Sequence, residues 1–279
     1  LRASIWTDAA QSILMMGAML LLLGAAINGA GGISLFLEKL DQVSPTYLDL
    51  GTQRFGSLGA TALFAGGWLF NGLGVVGQPQ VMVRFMALDN SQHMKKTGIY
   101  YFLWSSCFLS VTFVVGLSAR LFITNASGFD PELALPTLAQ NLLPAVAVGV
   151  VLGGIFSATL STIDSQVLSC SAVLSEDFKL GKGVQAKRLS TLAIVAVSLA
   201  IALFAPANVF TLVILAWSAL ACTLGPLVIV HALGKRPSEN TALLMMAVGF
   251  SVAMLWRHFG LNAHVYEGAP GILSALLLY

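Results

Sequence analysis

Long apolar stretches, separated by short polar segments, recur along the whole chain. A stretch of about 20 apolar residues forms a helix long enough to cross a hydrocarbon core about 30 Å thick. The pattern predicts seven complete transmembrane helices and the beginning of an eighth near Pro270. The predicted helices cover residues 4–28, 57–88, 97–124, 142–175, 189–205, 209–233 and 240–258. Short segments of alternating polarity, which a transmembrane β-barrel requires, are not a feature of this pattern.

Two irregularities in the pattern indicate local departures from straight helices. The second predicted helix contains Asn71-Gly-Leu-Gly-Val-Val-Gly-Gln-Pro79, where glycines and a proline weaken the helical hydrogen bonds. Discontinuous helices of this kind commonly line the substrate sites of transporters, although a proline kink used only for packing gives the same pattern. After the first helix, residues 33–40 predict a short amphipathic helix at the membrane interface.

Composition narrows the class of protein. Of the 279 residues, 57% are hydrophobic and 9% are charged, whereas soluble domains carry about 25% charged residues. The chain is therefore predicted to be an all-α membrane protein. A net charge of +2 without a basic cluster gives no reason to expect nucleic acid as a partner. The pattern contains no nucleophile–base pair and no His–carboxylate metal set, so we do not expect an enzyme.

Two carboxylates stand out because they lie inside apolar segments. Ten of the twelve acidic residues are predicted in loops or at helix ends, whereas Asp8 and Asp164 lie within the first and fourth predicted helices. An ionised carboxylate at membrane depth costs at least about 2.5 kcal/mol, so it normally faces a wet cavity or an ion. The alternative is a hydrogen bond that packs two helices. If these two helices pack together, Asp8 could face Ser161 and Ser165.

The neighbours of Asp164 form one polar face. At about 100° per residue, the residues of this face lie within about 160°. They are Ala158, Ser161, Thr162, Asp164 and Ser165. Hydroxyl, carboxylate and carbonyl oxygens are the ligands of small hard cations, and a helix that loosens near Gly153-Gly154 would add free carbonyls. Serine and threonine also bond to their own helix, which is the structural alternative.

Several motifs, in order along the chain, resemble the sodium:solute symporters and among them the sodium/proline symporters. The motifs are Trp6-Thr-Asp-Ala-Ala-Gln11, Gly77-Gln-Pro-Gln-Val-Met-Val-Arg-Phe-Met-Ala87, Ala158-Thr-Leu-Ser-Thr-Ile-Asp-Ser-Gln166, Ser169-Cys-Ser-Ala-Val-Leu-Ser-Glu-Asp177 and Leu215-Ala-Trp-Ser-Ala-Leu-Ala-Cys-Thr-Leu-Gly-Pro226. The resemblance implies a LeuT-type fold built from two inverted five-helix repeats. Residues 1–279 would then be one transmembrane domain. It would begin at core helix 5, lack core helices 1 to 4, and be cut within the accessory helices at its C-terminal end.

The resemblance also implies where ions and solute bind. It makes the carbonyl of Ala158 and the hydroxyls of Ser161 and Thr162 half of the main sodium site, with the other half on core helix 1. Asp8, Asp164 and Ser165 match the positions of a second ion site in some members. The residues expected to line the solute cavity are Asn71, Val75, Gln78, Pro79 and Trp217. Proline transporters carry a Trp and a Tyr where this chain has Asn71 and Val75, which implies a differently shaped or more polar solute.

The sequence therefore predicts sodium-coupled symport of a small organic solute, such as a proline-like amino acid or a carboxylate. Sodium would be the coupling ion, the lipid bilayer would be the surroundings, and the location would be a multi-pass plasma membrane protein of the bacterial inner membrane. Two alternatives stay open. One is a transporter-like sensory domain that feeds a signalling module, and the other is a sodium-selective channel.

Overall fold

The structure is a computed structural model that describes residues 2–49, 55–123, 128–177, 183–204 and 208–279. Within these ranges the chain forms helices and turns, with no β-strand. The α-helices are α1 (Arg2–Ala30), α2 (Ile33–Asp41), α3 (Leu58–Leu69), α4 (Pro79–Met86), α5 (His93–Phe122), α6 (Ala134–Leu142), α7 (Ala145–Ala172), α8 (Val184–Phe204), α9 (Val209–Ala232), α10 (Glu239–His258) and α11 (Gly268–Leu276). Shorter 3₁₀ segments span Phe70–Val75, Pro131–Leu133 and Leu261–Ala263, and a π-helical turn spans Val173–Asp177.

The predicted membrane helices are confirmed. The described residues contain seven helical segments long and apolar enough to cross a membrane. Their apolar side chains point outward: α8, for example, exposes Leu192, Leu199 and Phe204. Exposed apolar surface of this extent is rare in soluble monomers. It fits helices whose surroundings are lipid, as the all-α membrane class requires.

The chain divides into two compact units. The first consists of Leu1–Asp49 and Leu88–Leu168. In it, α1 packs against α5, α6 and α7 around a core that includes Leu22, Val115 and Leu138. The predicted amphipathic helix is confirmed as α2, which buries Phe36 and Leu40 beside the end of α1.

The second unit consists of Leu50–Ala87 and Ser169–Tyr279. Here α9, α10 and α11 pack closely because small residues meet at their crossing. A Cβ atom on Gly271 would lie 2.5 Å from the Cys222 sulfur and 2.8 Å from the Gly249 carbonyl oxygen. Ala221, Ala253 and other small side chains complete this core. Close backbone approach of this type is the usual way in which membrane helices associate.

Candidate functional site

The polar face predicted on α7 brings oxygen atoms together. Ser161 donates its hydroxyl to the carbonyl oxygen of Ala158 at 2.9 Å, and Thr162 donates to the same oxygen at 3.0 Å. Ser165 donates to the Ser161 carbonyl oxygen at 2.9 Å. Because these hydroxyls donate their hydrogens to their own helix, their lone pairs remain available to a ligand. Two hydroxyl oxygens are therefore gathered around one carbonyl oxygen on a single face of the helix.

The helix α7 does not loosen near Gly153-Gly154, because it is continuous from Ala145 to Ala172. Gly154 has a different role. A Cβ atom there would lie 2.7 Å from the Cβ atom of Ala18 and 3.7 Å from the carbonyl oxygen of Leu14. Glycine at this position allows α7 to approach α1 closely, so the first and fourth predicted helices are in contact here.

The packing of α1 on α7 is antiparallel. Gly154 lies against Ala18, Met15 and Leu14, and Val151, one turn earlier on α7, belongs to the core that contains Ala18 and Leu22. As numbers rise on α7, they fall on α1. Residues after Gly154 on α7 and residues before Leu14 on α1 therefore lie on the same side of this contact.

Counted along the sequence, the polar residues of α1 and α7 lie on the same side of this contact. Asp8 lies seven residues before Met15, and Ser161 lies seven residues after Gly154, so each is about 10 Å along its own helix from the contact. Gln11 and Ala158 are each four residues from it. The Gln11 Oε1 atom is buried and has no hydrogen-bond partner in the described part of the chain.

The two carboxylates differ in exposure. Asp8 is half-buried and Asp164 is exposed, and each engages a partner. Asp164 lies at the edge of the oxygen face, about 120° around the helix axis from Ala158, whereas the Ser161 and Thr162 hydroxyls both reach the Ala158 carbonyl. The carboxylate is therefore a neighbour of the three-oxygen group rather than its centre.

In the second unit, the predicted discontinuity is confirmed. The helix α3 ends at Leu69, continues as the 3₁₀ segment Phe70–Val75, and resumes as α4 at Pro79. Glycines let this segment lie directly on the backbone of α9. A Cβ atom on Gly74 would meet the Trp217 carbonyl oxygen at 2.8 Å, and one on Gly77 would meet that of Leu220 at 3.0 Å.

A buried series of hydrogen bonds, called here the hydrogen-bond chain, connects the 3₁₀ segment Phe70–Val75 with the turn that precedes α11. The Tyr266 hydroxyl lies 2.8 Å from the side-chain amide of Asn71 and 2.8 Å from the Ser218 hydroxyl. Ser218 in turn donates to Glu267 Oε1 at 2.9 Å and lies 2.8 Å from the Ile214 carbonyl oxygen. The exposed fractions are 8% for Asn71, 2% for Tyr266, 0% for Ser218 and 1% for Glu267, so water does not compete for these contacts.

The hydrogen-bond chain ends at a charged pair, Glu267 and Arg257. Arg257 Nη1 donates to the same Glu267 oxygen, Oε1, at 2.8 Å. A carboxylate buried to this extent requires such a partner. The hydropathy pattern places Glu267 in a loop or at a helix end, and it gives no indication of this buried ion pair.

Aromatic packing fixes Tyr266 in place. Its ring stacks on Trp68 at a centroid distance of 5.0 Å, and Trp256 Nε1 donates to the carbonyl oxygen of the preceding residue, Val265, at 2.9 Å. Burial raises the pKa of the Tyr266 phenol to about 12. The hydroxyl therefore keeps its hydrogen at neutral pH.

The other residues expected at the solute cavity differ in their surroundings. Val75 and Trp217 are half-buried and Pro79 is exposed. Gln78 is buried, and its Oε1 accepts from Gln80 at 2.9 Å. Its Nε2 is buried without a hydrogen-bond partner among the described residues, so this amide retains one unused donor beside the discontinuity.

A separate cleft of about 760 Å³ lies in the first unit between α1 and α5. Its lining includes Met16, Tyr100 and Trp104, and none of the predicted site residues contributes to it. Its walls are mainly apolar and aromatic, so this cleft is not the candidate ion site.

Comparison with known proteins decides the class. The family model described as "Sodium:solute symporter family" matches residues 1–249. The chain belongs to the sodium:solute symporter family. The resemblance inferred from the ordered motifs is thereby confirmed.

The alignments of this symporter family member with curated relatives cover almost all of its chain. It is 30% identical to the high-affinity proline transporter PutP of Bacillus subtilis, over 98% of this chain and 59% of the relative. It is 29% identical to the sodium/proline symporters of Salmonella typhimurium and Escherichia coli, over 98% and 96% of this chain and 56% and 55% of those proteins. The chain thus spans somewhat more than half the length of these relatives. No solved structure matches it.

Proposed function

We propose that this protein takes part in sodium-coupled symport of a small organic solute across the bacterial inner membrane, within a LeuT-type transporter domain. The observation that carries the proposal is the oxygen face of α7 in a member of this family. The hydroxyl oxygens of Ser161 and Thr162 each lie within 3.0 Å of the Ala158 carbonyl oxygen. Such neutral oxygens suit a monovalent hard cation, which needs little charge compensation.

Two features of α1 support an ion site at this face. Asp8 and Ser161 are each seven residues from the contact between Met15 and Gly154 and on the same side of it, so we propose that the Asp8 carboxylate supplies negative charge to this face. Gln11, whose Oε1 is unpartnered among the described residues, and Ala158 are each four residues from that contact. A buried acceptor without a partner requires an explanation, and a bound sodium ion supplies one. Asp8, Asp164 and Ser165 are proposed as a second ion site on the same helix pair.

The proposed solute contacts belong to the discontinuity after α3. Gln78 offers a buried Nε2 donor without a partner among the described residues. A solute carboxylate can accept a hydrogen bond from it. Asn71 offers an amide with both donor and acceptor. An amino acid or a small carboxylate matches these groups, and the curated relatives that are named as proline transporters favour an amino acid related to proline. Val75, Pro79 and Trp217 are proposed as further wall residues.

In symport, the two ligands bind cooperatively. Sodium and solute must each raise the affinity of the protein for the other by the same factor. This reciprocity gives a test that does not depend on knowing every ligand atom.

The experiment is uptake of radiolabelled L-proline, alongside other amino acids and small carboxylates, into proteoliposomes that contain the full-length gene product. We expect uptake that requires an inward sodium gradient and a solute KM that falls as sodium rises. Uptake that is indifferent to sodium for every solute tested would refute the proposal. A sodium conductance without solute flux would instead indicate a channel.

A further inference from the structure

The hydrogen-bond chain from Asn71 to Glu267 contains too few hydrogens for the contacts it makes. Its three contacts join Asn71 to Tyr266, Tyr266 to Ser218, and Ser218 to Glu267. Each hydroxyl has one hydrogen to donate. If Tyr266 donates to Asn71 Oδ1 and Ser218 donates to Glu267, the two hydroxyl oxygens lie 2.8 Å apart with no hydrogen between them. The Ile214 carbonyl competes for the Ser218 hydrogen and adds to the shortage.

The charge on Glu267 decides how the shortage is resolved. Arg257 donates to Glu267 Oε1 at 2.8 Å, so the carboxylate and the guanidinium form a buried ion pair. An ionised carboxylate only accepts. Ser218 must then donate to Glu267, and Tyr266 must donate to Ser218.

The missing hydrogen then has to come from Asn71. Its amide carries two N–H donors on one side and an acceptor oxygen on the other, and a half-turn of the amide exchanges them with little change in shape. With Nδ2 directed at the Tyr266 hydroxyl, all three contacts have a hydrogen and all point toward Glu267. The amide oxygen of Asn71 is then directed away from Tyr266.

We propose that Glu267 and Tyr266 are positioning residues that set which amide atom Asn71 turns toward Tyr266, and therefore which atom it offers to the solute. The second part rests on the proposed function. Arg257, Tyr266 and Glu267 lie beyond the residues that the family model matches, 1–249. The structure connects them to the discontinuous helix.

The test uses substitutions that change the number of donors. Asn71→Asp places an acceptor at both ends of the chain, so one contact must lack a hydrogen. The double variant Arg257→Gln/Glu267→Gln leaves the summed charge unchanged and makes the side chain at position 267 a possible donor. In that background the chain of donors can run from position 267 to the carboxylate introduced at position 71, with every contact filled.

We expect Asn71→Asp to lower the midpoint of thermal unfolding of the full-length protein in detergent by about 3–9 °C. In the Arg257→Gln/Glu267→Gln background the same substitution should lower the midpoint by less than about a third of that amount. Adding Tyr266→Phe, which removes the connecting hydroxyl, should abolish the difference between backgrounds. If simple repulsion between the carboxylates at positions 71 and 267 caused the difference, the difference would remain after Tyr266→Phe.

The second readout is transport. Asn71→Asp should raise the solute KM about tenfold while Vmax stays within about twofold. The same substitution should raise KM less in the double variant Arg257→Gln/Glu267→Gln, which we call the neutral pair. If the neutral pair expresses poorly, Glu267→Gln alone replaces it, because Arg257 is 23% exposed and can turn to solvent.

The proposal is overturned if Asn71→Asp lowers the unfolding midpoint equally in the unmodified protein and in the Arg257→Gln/Glu267→Gln variant. It is also overturned if the smaller loss in that variant persists when Tyr266→Phe is added. A thermal rescue without any change in KM would overturn its second part, the link to solute. If the unmodified protein shows no sodium-driven uptake, the proposed function fails, and the thermal comparison alone still decides whether the side chain at position 267 orients Asn71.

Discussion

The hydroxyl of Tyr266 lies 2.8 Å from the side-chain amide of Asn71, 195 residues away along the chain. This contact joins the 3₁₀ segment, where solute contacts are expected, to the turn that precedes α11. Tyr266 is held from both sides, by the Trp68 stack and by Ser218. The orientation of Asn71 is therefore a property of the whole second unit rather than of the discontinuous helix alone.

The oxygen face of α7 can be tested by hydroxyl deletion. We expect Ser161→Ala or Thr162→Ala to raise the sodium concentration at half-maximal uptake about tenfold, because each removes one ligand oxygen. The matched control is Thr159→Ala. Thr159 donates to the Ile155 carbonyl on the same helix at 3.1 Å but lies about 100° from Ala158, outside the face. Equal effects at all three positions would indicate a general helix defect rather than an ion site.

Asp8 and Asp164 should contribute unequally. Asp8→Asn removes the carboxylate that we propose supplies charge to the oxygen face, so we expect it to raise the half-saturating sodium concentration more than tenfold. Asp164→Asn, at the exposed edge of the face, should raise it about threefold. Sodium titrations of uptake at fixed solute provide the measurement, and a larger effect at Asp164 would reverse this order of importance. A Hill coefficient that falls from near two to near one in either variant would support the second ion site.

Gln78 should act on solute rather than on sodium. Gln78→Glu replaces an unused donor with an acceptor, so a solute carboxylate would meet like charge. We expect the KM for solute to rise at least tenfold while the sodium dependence at saturating solute is unchanged. Gln92→Glu is the control for the added charge, since Gln92 is exposed and lies outside the discontinuity. A KM that is unaffected by Gln78→Glu would remove this residue from the proposed cavity.

Packing of α1 on α7 depends on the absence of a side chain at residue 154. Gly154→Val would place atoms against Ala18, and overpacking of this kind costs about 1–3 kcal/mol. We expect a lower unfolding midpoint and a weaker sodium affinity, since the register between the two helices would shift. Gly149→Val on the same helix meets nothing within 4 Å and should change neither. Comparable losses in both variants would mean that helix propensity, not the contact, explains them.

How far the sequence predicts this molecule can be seen from individual residues. Glycine and proline act locally, so the break between Leu69 and Pro79 could be inferred from Gly74, Gly77 and Pro79 alone. The face formed by Ala158, Ser161 and Thr162 follows from helical spacing. The packing of Gly154 on Ala18 could be seen only in the structure, because a single glycine in a sequence does not indicate which helix it packs against.

Glu267 illustrates what local patterns miss. It follows a turn and precedes an apolar helix, the usual setting of an exposed carboxylate. Its burial depends on Arg257 in α10 and Ser218 in α9, which are brought near by tertiary packing. An acidic residue flanked by Tyr266 and the small residues Gly268 and Ala269 is the signal that could have drawn attention to it, since small neighbours permit close approach.

The seating of Gly74 and Gly77 on the backbone of α9 has a mechanical consequence. No layer of side chains separates the two segments at these contacts, so there are no rotamers between them that could absorb a small displacement. We therefore expect a sliding or rotation of α9 to move Asn71 and Gln78 with it. If these two residues contact the solute as proposed, substitutions along the inner surface of α9 should change solute affinity.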